Sequence, residues 1–190
     1  MDKNTLLLSD LIERVGNRIR ADVRNLENAH NLQPVHLQAL KYIKRANRYS
    51  NTPQGLTEYL GQTKGSISQS LILLHRKGLI DRYMDEMDKR QVRLTLSEAG
   101  EKLLKEVELT SSWQSATKYI SPTKLRTAVL VLNETLNNLQ IIESIKSFGV
   151  CNTCVYCRQE SKRIFRCGLT GDKLGITETR KICRLHVSPT

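Results

Sequence analysis

Residues 52–100 read TPQGLTEYLGQTKGSISQSLILLHRKGLIDRYMDEMDKRQVRLTLSEAG, and the period of the apolar residues changes within that stretch. Thr52-Pro53 is a helix start, since proline suits a first helical turn. Leu56, Tyr59 and Leu60 make the inward face of a short helix that Gly61 stops. Thr63 then caps a helix over residues 64–78, with Ile67, Leu71 and Leu74 towards the core. Two short helices joined by a glycine turn form a helix-turn-helix. Beyond Gly78 the period falls to two. Arg82-Tyr83-Met84 and residues 92–96 read as strands, the second alternating Val92, Leu94 and Leu96 with Gln91, Arg93 and Thr95. The polar link at residues 85–90 suits a hairpin tip.

Helices flank this lobe on both sides. Leu8, Leu11, Ile12, Val15, Ile19, Val23 and Leu26 recur at three- and four-residue spacing, one amphipathic helix of about five turns. Gln33-Pro34 opens the next, buried through Leu37, Leu40 and Ile43. Ser97 caps a helix running through Leu103, Leu104 and Val107 towards Trp113. Ser121-Pro122 opens the last, in which Leu125, Val129, Leu132, Leu136 and Leu139 step by four, three, four and three. That is a heptad seam, and such a seam wants a partner helix. Gly149 ends it. The expected fold is mainly α, with a body at residues 1–149 and a small cysteine-rich unit at 150–190. Within the body, residues 1–30 and 98–149 supply the dimerisation helices and 34–97 the DNA-binding lobe.

Charge sets the class of partner. Among 190 residues, 30 Lys and Arg face 19 Asp and Glu, for a net +11 with 39% apolar residues. A chain this basic seeks anions, with nucleic acid and anionic membrane first. No run approaches the ~20 apolar residues that cross a bilayer. Leu6-Leu7-Leu8 is cut short by Asp10 and Glu13, so a soluble intracellular protein is expected. Between Asn28 and Ile80 the one acid is Glu58, against Lys41, Lys44, Arg45, Arg48, Lys64, Arg76 and Lys77. A charge run alone marks a solvated face, but this one coincides with the helix-turn-helix.

With Ile67, Leu71 and Leu74 inward, steps of 100° put Gly65, Gln69, Ile72 and Arg76 on the opposite side and Ser68 at its edge. Gly65 lets backbone approach a phosphate at the helix N-terminus. Gln69 suits adenine, Arg76 guanine or phosphate, and Ile72 a thymine methyl.

Gly55-Leu56-Thr57-Glu58-Tyr59-Leu60-Gly61, Lys64-Gly65-Ser66-Ile67-Ser68 and Leu74-His75-Arg76-Lys77-Gly78-Leu79-Ile80 together resemble the winged helix-turn-helix of MarR-type regulators. Asp85, Asp88, Arg90, residues 92–97 and Gly100 resemble that family's wing and the start of its next helix. The likeness spans roughly residues 6–148. It implies a homodimer that binds pseudo-palindromic double-stranded DNA through two recognition helices; a cytoplasmic bacterial regulator is expected, a repressor before an activator, although promoter geometry and not the sequence decides between those two. It also implies Lys89 and Arg90 at the wing tip, Arg90 reaching the minor groove, and Asp88 holding the wing in shape. Lys64, Gly65 and Ser66 fall at the recognition helix N-terminus. A small-molecule effector is neither implied nor excluded.

All five cysteines lie between positions 151 and 183, in a 42-residue stretch from Gly149 carrying eight basic and three acidic groups. Cys151-Asn152-Thr153-Cys154 and Cys183-Arg184-Leu185-His186 are two knuckles bracketing about thirty residues, a spacing that suits tetrahedral zinc. A unit with so few large apolar residues needs the folding free energy a metal supplies. Cys151, Cys154 and Cys183 lead as ligands, with Cys167 and His186 competing for the fourth place. The tail resembles cysteine-rich extensions of some MarR-like proteins, a pattern without a cysteine at Cys157. Cys151, Cys154 and Cys157 also open an iron–sulfur type C-x2-C-x2-C run, though its usual C-x3-C-P ending is missing. Placed after the last long helix, a metal-bound tail either constrains that helix, so that metal loss or oxidation is felt at the DNA, or is a structural zinc clip whose loss leaves the body unaffected.

Enzyme chemistry lacks its parts. Val187 and Ser188 follow His186, leaving no H-x-E glutamate for a zinc deaminase. No βαβ unit surrounds the C-x2-C as a thiol oxidoreductase requires. The remaining alternative makes the tail a zinc-stabilised protein-interaction module.

Overall fold

A computed structural model describes residues 2–86, 88–110 and 112–188, with the backbone alone at 25, 26, 109 and 110. The Leu26 side chain and Met87 of the hairpin link therefore lie outside the described residues. The body runs α1 (Lys3–Ala29), α2 (Pro34–Arg45), α3 (Pro53–Leu60) and α4 (Lys64–Arg76), then the hairpin β1 (Ile80–Met84) and β2 (Val92–Leu96). It continues through α5 (Glu98–Thr110), α6 (Ser112–Thr117) and α7 (Pro122–Ile142). The tail comprises β3 (Gly149–Val150), a 3-10 turn at Cys151–Thr153, β4 (Cys157–Gln159), β5 (Ile164–Cys167), β6 (Lys173–Gly175), α8 (Ile176–Thr179) and β7 (Ile182–Cys183).

Local chemistry accounts for the boundaries. Thr52 Oγ1 accepts the Gly55 N–H at 3.0 Å, Thr63 Oγ1 that of Ser66 at 3.2 Å, and Ser97 Oγ that of Gly100 at 3.1 Å. Each satisfies a backbone donor that the first helical turn leaves without a carbonyl. Gly61 ends α3 at φ +60°, a conformation that costs a side chain but not glycine. Ser121 caps α7 through the Lys124 N–H.

The core joins Leu37, Leu40 and Ile43 of α2 to Leu56, Ile67, Leu71 and Leu74 of the helix-turn-helix. Ile80, Leu94, Leu103, Leu104 and Val107 complete it from the wing strands and α5. The hairpin is antiparallel with Ile80 opposite Leu96 and Arg82 opposite Leu94. One expected core residue is displaced. Tyr59 sits on the rim, 38% exposed, its ring 4.7 Å from Tyr42 and 5.2 Å from Phe148, so aromatic neighbours flank it without enclosing it.

The outer helices bury little. Leu8, Leu11, Ile12 and Val15 of α1 stay exposed, and none of the 21 residues of α7 is buried. The tail is the reverse. It folds as a meander β4-β5-β6 beside the β3-β7 pair, and Ile182 of β7 enters the body's own core at 4% exposure. The chemistry of the chain changes near residue 149, but the packing is continuous across it.

Candidate nucleic-acid interface and thiol module

α4 presents one face to the core and one to solvent. Ile67, Ser70, Leu71 and Leu74 are buried, whereas Lys64, Gly65, Ser66, Ser68, Gln69, Ile72 and Arg76 are exposed. Ile72 keeps 40% of its surface in solvent, an apolar group standing among polar ones. A Cβ at Gly65 would meet nothing closer than Thr63 Oγ1 at 4.0 Å, so the helix N-terminus is open to a close-lying partner. Its free N–H groups and dipole favour an anion there. Lys64 and Ser68 also line a cleft of about 270 Å3 with Gln54, Thr57 and Arg82. Arg82 is the addition. It pairs with buried Leu94 across the hairpin and so faces α4, a placement that strand alternation alone encodes.

The wing is fixed by two aspartates. Asp85 Oδ1 accepts the Asp88 N–H at 2.9 Å, and Asp85 Oδ2 holds Arg93 Nε at 2.6 Å. Asp88 in turn accepts the Arg90 N–H at 3.1 Å and Gln91 Nε2 at 3.2 Å. Lys89 and Arg90 are exposed beyond these bonds. The carboxylates thus shape the turn while the cations stay at its surface.

Other cations of the basic stretch point elsewhere. Arg48 pairs with Glu178 of the tail at 2.5 Å, and Lys44 with Glu101 at 3.1 Å. Lys77 Nζ donates to the His30 carbonyl at 3.0 Å. The coincidence of charge with the helix-turn-helix is therefore narrower than the sequence suggests.

In the tail all five cysteines are free thiols. Cys151 and Cys183 are buried with Leu174, and Cys157, Cys167, Phe165 and Tyr49 pack against them. Cys157, set aside by the family pattern, stands opposite Cys167 in the meander. Cys154 Sγ accepts the Val187 N–H at 3.4 Å. His186 is otherwise engaged: Nε2 meets Thr153 Oγ1 at 2.9 Å, while Nδ1 is buried without a partner. Its ring lies so close to the backbone that a Cβ at Gly149 would sit 2.5 Å away. Among the described residues, no group of three or more His, Cys, Asp or Glu side chains is disposed to hold a metal ion as it stands. By donor type the set fits a soft metal. Burial, and then the neighbouring Cys157 and Cys183, push the Cys151 thiol up to about 12, and burial also raises Cys157 and Cys183. Thiols held protonated in this way are poor nucleophiles on their own.

The tail docks on the winged-helix lobe. The Asn47 N–H donates to the Ile182 carbonyl at 2.9 Å, and the Arg184 N–H to Ser50 Oγ at 2.8 Å. Arg184 Nη2 reaches both carboxylate oxygens of Glu58 on α3, at 2.8 and 3.0 Å. Tyr49 Oη donates to Asp172 at 2.5 Å. Towards α7, a cavity of about 610 Å3 is shared by Leu136, Asn137 and Gln140 of that helix with Thr153, Ile182 and His186 of the tail. Polar contacts of the tail reach the α2–α3 connection, α3 and, through Ser147 Oγ donating to the His186 carbonyl at 3.0 Å, the segment that follows α7.

A MarR family model matches residues 30–91, the stretch from the end of α1 through most of the wing. That family comprises DNA-binding transcription regulators, not enzymes. Among solved structures, Staphylococcus aureus MepR in a DNA-binding conformation superposes with a TM-score of 0.62 at 21% identity, covering 70% of this chain and 98% of that one. A point mutant of MepR from a multidrug-resistant S. aureus clinical isolate gives 0.61 at 21% identity, with 70% and 97% covered. A MarR family regulator from Silicibacter pomeroyi gives 0.58 at 22%, with 67% and 86% covered. Comparison with curated proteins finds no match to the chain. The fold is thus a MarR-like winged helix, with part of this chain lacking a counterpart in those neighbours. No described helix is long and apolar enough to cross a membrane.

Proposed function

We propose that this chain is a MarR-family transcription regulator that binds double-stranded DNA as a homodimer and acts as a repressor. The observation that carries the reading is the outer face of α4, where Lys64, Gly65, Ser66, Ser68, Gln69, Ile72 and Arg76 are exposed together. α4 lies in the major groove, with Gln69 and Ile72 reading base edges and Arg76 reading guanine or phosphate. Arg90 enters the adjacent minor groove, and Lys64, Lys89 and Arg82 hold phosphates. The dimer interface is formed by α1 and α7 through Leu125, Val129, Leu132, Leu136 and Leu139. Its support is the exposure of Val129, Leu132, Leu136 and Leu139 on α7, continued by a cavity of about 780 Å3 that Leu132 lines with Leu11, Ile12 and Val15 of α1 and Trp113, more apolar surface than a lone chain leaves open.

The tail thiols are proposed to hold zinc, with Cys151, Cys154, Cys167 and Cys183 as the ligands of choice. Cys157 is the rival that packing favours, and the Thr153 contact weakens His186. A bound metal supplies the positive charge that lets buried thiols ionise and adds folding free energy. Because Arg184 follows Cys183 directly and holds Glu58 of α3, loss of metal or oxidation would loosen the clamp on the helix-turn-helix. Metal analysis with an absorption spectrum of anaerobic protein decides between metals: colourless protein with zinc supports this reading, and broad absorbance near ~400 nm identifies an iron–sulfur cluster instead. For the DNA reading, a labelled random duplex should bind weakly with a steep salt dependence. A salt-independent or absent signal would exclude it.

A further inference from the structure

The seam between body and tail holds a second concentration of charge, away from the outer face of α4. Lys41, Lys44 and Arg45 of α2 and Arg180 and Lys181 of the tail border a cavity of about 350 Å3, whose one lining carboxylate is Glu108. Local acids are already engaged. Glu108 and Glu101 both pair with Lys44, and Glu178 pairs with Arg48. Among the described residues, Lys41, Arg45, Arg180 and Lys181 have no carboxylate partner. Against Lys41, Lys44, Arg45, Arg180 and Lys181 stand Glu101 and Glu108, both on Lys44, so an excess of three positive charges from two segments of chain borders one hollow and opposes docking of the tail.

We propose that this hollow binds a compact anion carrying two or three linked phosphates, which bridges α2 to the tail. Two arginines supply the planar forks that match phosphate oxygens, and the lysines add point charge. The volume lies at the small end of ligand pockets, which favours linked phosphates over a bulky organic acid. Free inorganic polyphosphate and the phosphate chain of a nucleotide share this chemistry. Since the anion would neutralise both sides of the seam, its binding and tail docking reinforce each other. The inference depends on the docked tail and is independent of whether α4 reads DNA.

Calorimetry on the full chain tests it with tripolyphosphate, ATP and orthophosphate, alongside hydrogen exchange at residues 176–184. Tripolyphosphate should bind at least about tenfold more tightly than orthophosphate, one extra charged contact being enough for that factor. It should also slow exchange in the tail. ATP matching tripolyphosphate marks nucleotides as a source, and ATP failing marks free polyphosphate. Arg180→Glu with Lys181→Glu should abolish both binding and protection, and Lys41→Ala with Arg45→Ala provides the same test from the α2 side. Tripolyphosphate binding that survives both pairs, or that is lost on Arg90→Glu instead, would place the anion on another basic surface and overturn the proposal. Loss of duplex affinity in the seam variants without any polyphosphate binding would make the hollow a DNA contact and overturn it equally.

Discussion

α7 and β7 are opposites. α7 has 21 residues and buries none, whereas β7 has two and buries both. A long amphipathic helix secures nothing unless something covers its apolar side, and a two-residue strand can be decisive when one side chain reaches a core. The first element leaves its apolar side open, as the proposed dimer face requires, and the second ties the tail to the winged-helix lobe. Perturbing the two should give different failures.

The largest effect is expected at α7. Leu132→Asp with Leu136→Asp should convert dimer to monomer in sedimentation velocity and remove duplex binding with it. Protomers that stay paired would show that α7 is covered in some other way. At β7, Ile182→Ala should cost about 2–5 kcal/mol in urea unfolding, the range for emptying a buried isoleucine site, while leaving the protein dimeric. A cost under about 1 kcal/mol would mean that the tail rests on the lobe without sharing its core.

The ion pair beside it is a smaller matter. Glu58 and Arg184 retain 22% and 16% of their side-chain exposure, and Lys146 and Gln54 also reach Glu58. A double-mutant cycle on Glu58→Gln and Arg184→Met should return a coupling of about 1 kcal/mol, since residual solvent screens the pair. Zero coupling would remove this link between the thiol module and α3. Smallest is a pH effect in the lobe. Burial, then Lys77, hold the His36 imidazole below its usual value, and its Nδ1 accepts the Gln33 N–H at 2.9 Å. Neutral His36 thus stabilises the fold above about pH 6.5, and that contribution is lost as pH falls below it. His36→Gln should flatten the acid limb of the stability curve; an unchanged limb would assign it to other groups.

The two regions also differ in how far their sequences could be read. The α4 face was legible because Ile67, Leu71 and Leu74 pack within the lobe, so their spacing records the fold directly. The caps at Thr52, Thr63 and Ser97 are contacts three residues long and equally local. Docking of the tail was not legible, since Arg48 and Glu178 are 130 residues apart and Ile182-Cys183 is too short to carry a period. That distance is why Arg48, Lys41, Lys44 and Arg45 read as part of a DNA-facing charge run although they lie at the seam. Cys157 is a related case. Its place beside Cys167 comes from the β4-β5 register, which knuckle spacing does not reveal.

Selection from a random duplex library with the whole wild-type chain tests most directly whether α4 reads DNA. It should enrich a pseudo-palindrome whose half-sites lie one helical turn apart, ~34 Å, and Gln69→Ala should relax preference at one position in each half-site at a cost of about 1–3 kcal/mol. Enrichment of no sequence by the wild type, or the same site with unchanged preference for Gln69→Ala, would contradict it.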